Sequence, residues 1–312
     1  MNKFYKLNLK VISCLGIICA TLFSSVANAQ EENIQDYGQV VLDPLFEYIE
    51  APDDLPDLQS RTDYLMDNFW NPFDFDASGA VDQYALNHAF GVYAQAMPYA
   101  SEKKVTASVK KLINKIKDNP VLTFQFTKAA EENLYSPRAL FWSDDIYICF
   151  LENIVNNKGI DESRKSKYVS QLELLKKSAI GSKFPEFNVV NINGTETRIT
   201  SGKKFTLIEI TTPSNEDFRY ANLKLDISGV VNDMISDGVL DVDLVFISDK
   251  LPKLNYPEKW NVFFAEDINK SLDVRINPSF YVLDANNEII GKNLSVDDAI
   301  YLIESLNSVD KK

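Results

Sequence analysis

The sequence is short of sulfur, histidine and positive charge. Its 312 residues include three Cys, four Met and one His, and 32 Lys and Arg face 45 Asp and Glu, a net charge of −13. Cys14 and Cys19 fall within the first 29 residues, which leaves Cys149 alone beyond them. A single cysteine can neither close an internal disulfide nor run a dithiol cycle. His88 is the one possible base for Ser-His-Asp chemistry. It lies mid-helix among apolar residues, and no Gly-x-Ser-x-Gly elbow accompanies it. The acidic balance argues against nucleic acid and anionic membrane surfaces as partners, because phosphate binding needs clustered Lys and Arg.

What is present begins with a leader. Lys3, Lys6 and Lys10 form a basic start, Val11 to Phe23 an apolar run, and Ala27-Asn28-Ala29 a small-x-small site before Gln30. Residues 1–29 read as a secretory signal peptide, with the mature chain in the periplasm or elsewhere in the cell envelope. Cleavage removes three lysines and leaves −16 on the mature part. No stable membrane insertion is expected after cleavage. Cys19 follows Ile18, where a lipid-anchor site needs a small residue. Cys149 lies in the apolar stretch Asp145-Ile-Tyr-Ile-Cys-Phe-Leu151 and reads as a small buried hydrophobe.

Residues 30–60 are acidic and interrupted by Pro44, Pro52 and Pro56, as a linker would be. Within them, Asp43 to Ile49 has the signature of a short helix, with Asp43 as N-cap and Pro44 at N1. Residues 61–178 carry helical period throughout. The expected helices are 61–69, 81–97, 101–117 with Ser101 as cap, 120–135 with Pro120 at N1, 144–156 and 161–177. Asp74, Asp76, Ser78 and Asp82 fall at positions 1, 3, 5 and 9 of a calcium loop, with Gly79 at 6. Position 12 is Ala85 and not the required Glu, so no metal is assigned. Phe69, Trp70, Phe73 and Phe75 could line a groove, though such clusters more often build core.

From Gly181 the pattern changes. Asn193-Gly194 separates two β runs, a strong hairpin signal. The β run Phe205 to Ile210 leads through a loop into a helical period, where Leu223, Ile227, Val230, Val231 and Met234 share one expected buried face. A β run at 242–248 and the segment Arg275-Ile-Asn-Pro-Ser-Phe-Tyr-Val-Leu-Asp284 follow, then a last helix from Ser295 with Asp298 as its capping partner.

Strand, loop, helix, strand and a later strand opening on Asn277-Pro278 resemble the thioredoxin fold, specifically envelope thioredoxins of the TlpA/ResA type. That resemblance covers Gly181 to Leu306. It implies that Cys-x-x-Cys would stand at Asn215 and Phe218, and neither residue can form a thiolate. It also implies a cis-proline groove at Asn277-Pro278. The motifs Asn68-Phe-Trp-Asn-Pro-Phe-Asp-Phe75 and Asn133-Leu-Tyr-Ser-Pro-Arg138 resemble a helical domain of unknown function that precedes such thioredoxin-like domains in bacterial envelope proteins.

The expected architecture is α+β overall: an all-helical domain at 61–178, then a thioredoxin-like α/β domain at 179–312. The expected function is non-enzymatic binding or scaffolding of a protein or peptide partner, with no cofactor and no catalytic residue. Its site would be Thr212, Pro213, Ser214, Asn215, Glu216, Asp217 and Phe218 with Asn277 and Pro278. The alternative is a thiol-disulfide oxidoreductase or redox partner of atypical mechanism, which would have to use Cys149.

Overall fold

The computed structural model describes residues 44–76 and 79–309; the leader and its cleavage site lie outside them. Among the described residues the chain first builds six α-helices: α1 (Leu58–Asn68), α2 (Gln83–Ala96), α3 (Glu102–Ile116), α4 (Pro120–Leu134), α5 (Asp144–Asn156) and α6 (Glu162–Lys177). Their starts follow local chemistry. Asp57 and Asp82 each accept a backbone N–H from the first turn, and Asn119 accepts two, with Pro120 at the first helical position. Ser101 precedes α3 but does not cap it. Its N–H and hydroxyl instead bond Asp63 of α1, at 2.6 and 3.0 Å, which ties the two helices together.

The helical core is strongly aromatic. Phe69, Trp70, Phe73, Phe90, Tyr93, Phe126 and Phe150 are buried in one cluster, with mostly edge-to-face contacts. The aromatic motif therefore builds core. Residues 44–50 form no helix. Phe46 and Tyr48, two positions apart, both pack on Phe69, a spacing that extended chain satisfies and helix does not. Cys149 also departs from expectation. In α5 the buried phase is Tyr147, Phe150, Leu151 and Ile154, which leaves Cys149 on the exposed side.

The second half is a seven-stranded sheet ordered β2-β1-β5-β4-β3-β6-β7. The strands are β1 (Asn188–Asn191), β2 (Glu196–Arg198), β3 (Phe205–Thr211), β4 (Leu240–Ile247), β5 (Asn261–Ala265), β6 (Ser279–Asp284) and β7 (Ile289–Leu294). β3, β4 and β5 run parallel, and the outer pairings are antiparallel. Gly194, at φ +78°, closes the β1–β2 hairpin as its Asn-Gly signal required. Every residue of β3 is buried, which fits the centre of a sheet covered on both faces.

One face is covered by α7 (Asp217–Asp226), α8 (Gly229–Ser236) and α9 (Val296–Val309). The single helix expected over 223–234 is thus two. Ser228 caps α8 by accepting the N–H of Val231, and the chain turns at Ile227. The break resets the helical phase. Phe218, Ala221 and Leu225 are buried on α7, while Leu223 and Ile227 face solvent. At α9, Ser295 accepts the N–H of Asp298 and donates its hydroxyl to the Asp298 carboxylate, as expected. The fold is α+β: a helical N-terminal region followed by a mixed sheet with helices.

Candidate functional site

The loop of interest leaves the buried C-terminal end of β3. Thr212 to Glu216 cross the edge of the sheet, and α7 begins at Asp217. A helix N-terminus presents backbone N–H groups without partners, and here a side chain takes one of them: Asn215 accepts the N–H of Asp217 at 2.8 Å. The Asn215 amide also donates to the carbonyl of Asn277. Both ends of that side chain are therefore engaged.

Asn277 closes the network. Its Oδ1 accepts from the Thr211 hydroxyl at 2.9 Å and from the Thr212 N–H at 3.2 Å, while its Nδ2 donates to the Thr212 hydroxyl at 2.7 Å. The Asn277–Pro278 peptide is cis. The structure thus brings together Thr212, Asn215, Asn277 and Pro278, which lie some sixty residues apart in sequence. Pro213, Ser214, Glu216 and Asp217 are exposed along the loop. Phe218 is a correction to the expected surface. Its ring is buried 5.3 Å from that of Phe246, so it anchors the loop from below and offers nothing to a partner.

Two further groups belong to the site. Glu209, on β3 beneath α7, is fully buried, and Asn222 donates to both of its oxygens at 2.9 and 3.0 Å. Burial holds its carboxyl well above the usual range, with the Asn222 hydrogen bond pulling the other way. Asn222 also donates to the Phe218 carbonyl, so Glu209 is linked through one amide to the first turn of α7. A charge-bearing residue inside the apolar run Phe205–Ile210 was a signal available in the sequence.

The other group is a buried ion cluster where the helical half meets the segment before Pro278. Arg275 bonds Asp273 through Nε at 3.1 and 3.0 Å and pairs with Asp144, the first residue of α5. Its guanidinium lies 4.4 Å from the Tyr135 ring centroid and 5.5 Å from that of Trp142. Lys292 completes the cluster, reaching Asp144 at 2.5 Å and Asp273 at 3.2 Å. Burial acts to raise the Asp273 pKa, but Arg275 and Lys292 outweigh it and hold the carboxyl below its ordinary value. Asn293 donates to Asp273 and accepts from the Ser279 hydroxyl, the residue after Pro278. The helical half is thereby pinned to the segment that carries Asn277-Pro278 into β6.

The chemistry open to the loop follows from its atoms. Residues 150–312 contain no cysteine. Cys149 sits apart on α5, its thiol pushed up by partial burial and by Glu152 and Asp145, which disfavours the reactive thiolate. Among the described residues no cluster of metal-ligating side chains occurs. Of the acids that resembled a calcium loop, Asp82 caps α2 and Asp74 accepts the Asp76 N–H. No helix of the described residues is long and apolar enough to cross a membrane.

Residues 23–178 match the model of a family described as Domain of unknown function (DUF5106). No curated protein matches the chain. Among solved structures, a thioredoxin-like protein from Bacteroides caccae ATCC 43185 superposes with a TM-score of 0.71 at 17% identity, over 84% of this chain and 99% of that one. The C-terminal domain of an uncharacterized protein from Bacteroides fragilis NCTC 9343 is 18% identical over 41% of this chain and 99% of that one, with a TM-score of 0.38. The thioredoxin domain of a thiol-disulfide oxidoreductase from Bacteroides vulgatus is 18% identical over 41% of this chain and 97% of that one, with a TM-score of 0.33. The first likeness extends across both halves and shows the fold.

Proposed function

Since the chain belongs to the DUF5106 family and carries a thioredoxin-like α/β half, we propose that it is an exported, redox-inactive binding module. In this reading residues 1–29 are removed on export and residues 30–60 lead into the helical domain at 61–178. The thioredoxin-like domain at 179–312 engages a protein or peptide segment along the loop Thr212–Asp217 and the Asn277–Pro278 turn.

The observation that carries the proposal is the state of Asn215 and Phe218. A thiol chemistry at this loop needs a free nucleophile at the helix N-terminus and a second sulfur one turn on. The first position holds an amide committed to Asn277 and Asp217, and the second an aromatic ring committed to Phe246. What remains outside is a loop of Pro, Ser and acidic side chains, held in place from both sides. Such a preorganised surface binds with a small ordering cost.

Two measurements test this. A photo-crosslinking residue at Ser214 in the full-length protein, expressed in its host, is expected to give protein adducts that are missing when the probe stands at the exposed Leu140. Equal adducts from both positions, or none from Ser214, would overturn the binding site. Insulin reduction at the level of a Cys149→Ser control is the expected redox result, and turnover above that control would overturn the redox-inactive reading.

A further inference from the structure

The outer face of α7 is apolar where a surface helix should be polar. Tyr220, Leu223 and Ile227 follow at i, i+3 and i+7 and are 62%, 58% and 70% exposed. This stripe exists because α7 stops at Asp226 and α8 restarts under the Ser228 cap, which turns these residues away from the core. It continues onto α9. Lys224 bonds the Tyr220 hydroxyl at 3.2 Å and pairs with Asp297, and Tyr301, 53% exposed, stands one turn beyond Asp297.

Charge on the helices that carry the stripe is balanced on α7 and acidic on α8 and α9. The three helices α7, α8 and α9 carry Asp217, Asp226, Asp233, Asp297, Asp298 and Glu304 against Arg219 and Lys224 alone. Lys224 is already neutralised by Asp297. An acidic rim repels a second copy of this acidic chain, and it repels anionic lipid, which draws Lys- and Arg-rich helices. It suits a partner whose apolar residues are flanked by cations. Large exposed apolar residues that cluster inside a polar rim mark interaction sites in folded proteins.

We propose that the outer face of α7 and α9 docks a basic amphipathic helical segment of a partner protein, with apolar anchors at i, i+3 or i+4 and i+7 set against Tyr220, Leu223, Ile227 and Tyr301. This surface is separate from the loop site, and each can fail without the other.

The test uses the full mature chain and two labelled synthetic peptides of about 14 residues, with Leu at helical spacing and either Lys or Glu elsewhere. Fluorescence anisotropy is expected to show binding of the Lys peptide alone. Leu223→Ser with Ile227→Ser keeps every charge and should weaken it by about tenfold or more. Asp226→Lys with Asp298→Lys should weaken it and flatten its salt dependence. Leu140→Ser, at an exposed apolar residue of the helical half, should leave it unchanged. Equal binding by the serine variant would mean adsorption by net charge alone and would overturn the proposal. So would binding of the Glu peptide, self-association in sedimentation that the serine variant abolishes, or loss of peptide binding in Leu140→Ser.

Discussion

Two regions of this molecule bury carboxylates, and they do it in opposite ways. At the junction of the halves, Asp144 and Asp273 are matched one for one by Arg275 and Lys292. Inside the sheet, Glu209 and Asp243 are given only amides, Asn222 and Asn261. The consequence is a reversal of sign. Countercharge holds Asp273 below its ordinary pKa, while burial pushes Asp243 up to about 7 and Glu209 well above its usual range. The junction is a charged contact that stabilises by being ionised. The sheet carboxyls favour the fold when protonated.

The comparison breaks most severely at Arg275. Its side chain is 4% exposed, and its removal leaves the buried Asp273 and the half-buried Asp144 facing Lys292 alone. Arg275→Ala is expected to cost about 3–5 kcal/mol in denaturant unfolding. Acid sensitivity should change as well. A carboxyl with a lowered folded pKa contributes stability above its unfolded pKa and loses it as pH falls through the folded value. Without Arg275 that loss should begin at a higher pH. An unfolding midpoint and acid limb like those of the parent would show that the cluster does not hold the halves together.

Phe218 comes next, and it tests whether the loop occupies a former dithiol site. Emptying a buried ring costs about 3–5 kcal/mol for Phe→Ala, and Phe218→Cys should approach the lower end. Paired with Asn215→Cys, the new thiols are expected to close a disulfide under mild oxidation and recover part of that loss. Glu216 and Asp217 lie between them and would disfavour the thiolate, so the variant should reduce insulin poorly. Mass mapping that finds both cysteines as free thiols after oxidation would sink the assignment of Asn215 and Phe218.

Asp243 sharpens the sheet side. Its folded pKa is raised to about 7 from 3.8, so its contribution to stability is complete below pH 3.8 and is lost as pH rises to about 7. Asp243→Asn keeps the shape and removes the titration. It should stabilise the protein by on the order of 2–4 kcal/mol at pH 8, with the gain vanishing near pH 4. Glu209→Gln should act with the same sign. Chemical denaturation at both pH values decides it, and a gain of equal size at pH 4 and pH 8 would mean that burial of charge is not the cause.

How far the sequence announced all this depends on the kind of contact. The helical half was legible because caps and prolines are local: Asn119-Pro120 and Asp144 mark helix starts that the structure reproduces. The loop was legible as a place but not as a geometry. The sequence puts Asn215 before a helix, but its bonds to residue 277 depend on β3 and β6 pairing across the sheet. The junction was hidden for the same reason, since Asp144 comes from α5, Asp273 from the connection before β6 and Lys292 from β7. At α7 and α8 the pattern misled. Leu223 through Met234 keep a 3.6-residue period by sequence, and only the Ser228-Gly229 start, readable as a cap, reveals that the period spans two helices.

The smallest expected effect concerns Cys149, and it bears on both regions because α5 begins at Asp144 in the junction. The residue lies on the exposed side of α5 with its sulfur partly desolvated, and it donates to the carbonyl of Asp145, one turn back in its own helix. Serine can make the same bond. Cys149→Ser should therefore change stability by no more than about 0.5 kcal/mol, as surface substitutions do. Its thiol is pushed up by partial burial and by neighbouring carboxylates, so alkylation of the folded parent near neutral pH should run slower than for a free model thiol. If alkylation were instead faster, Cys149 would be an activated thiol, and the atypical redox reading would replace the binding one.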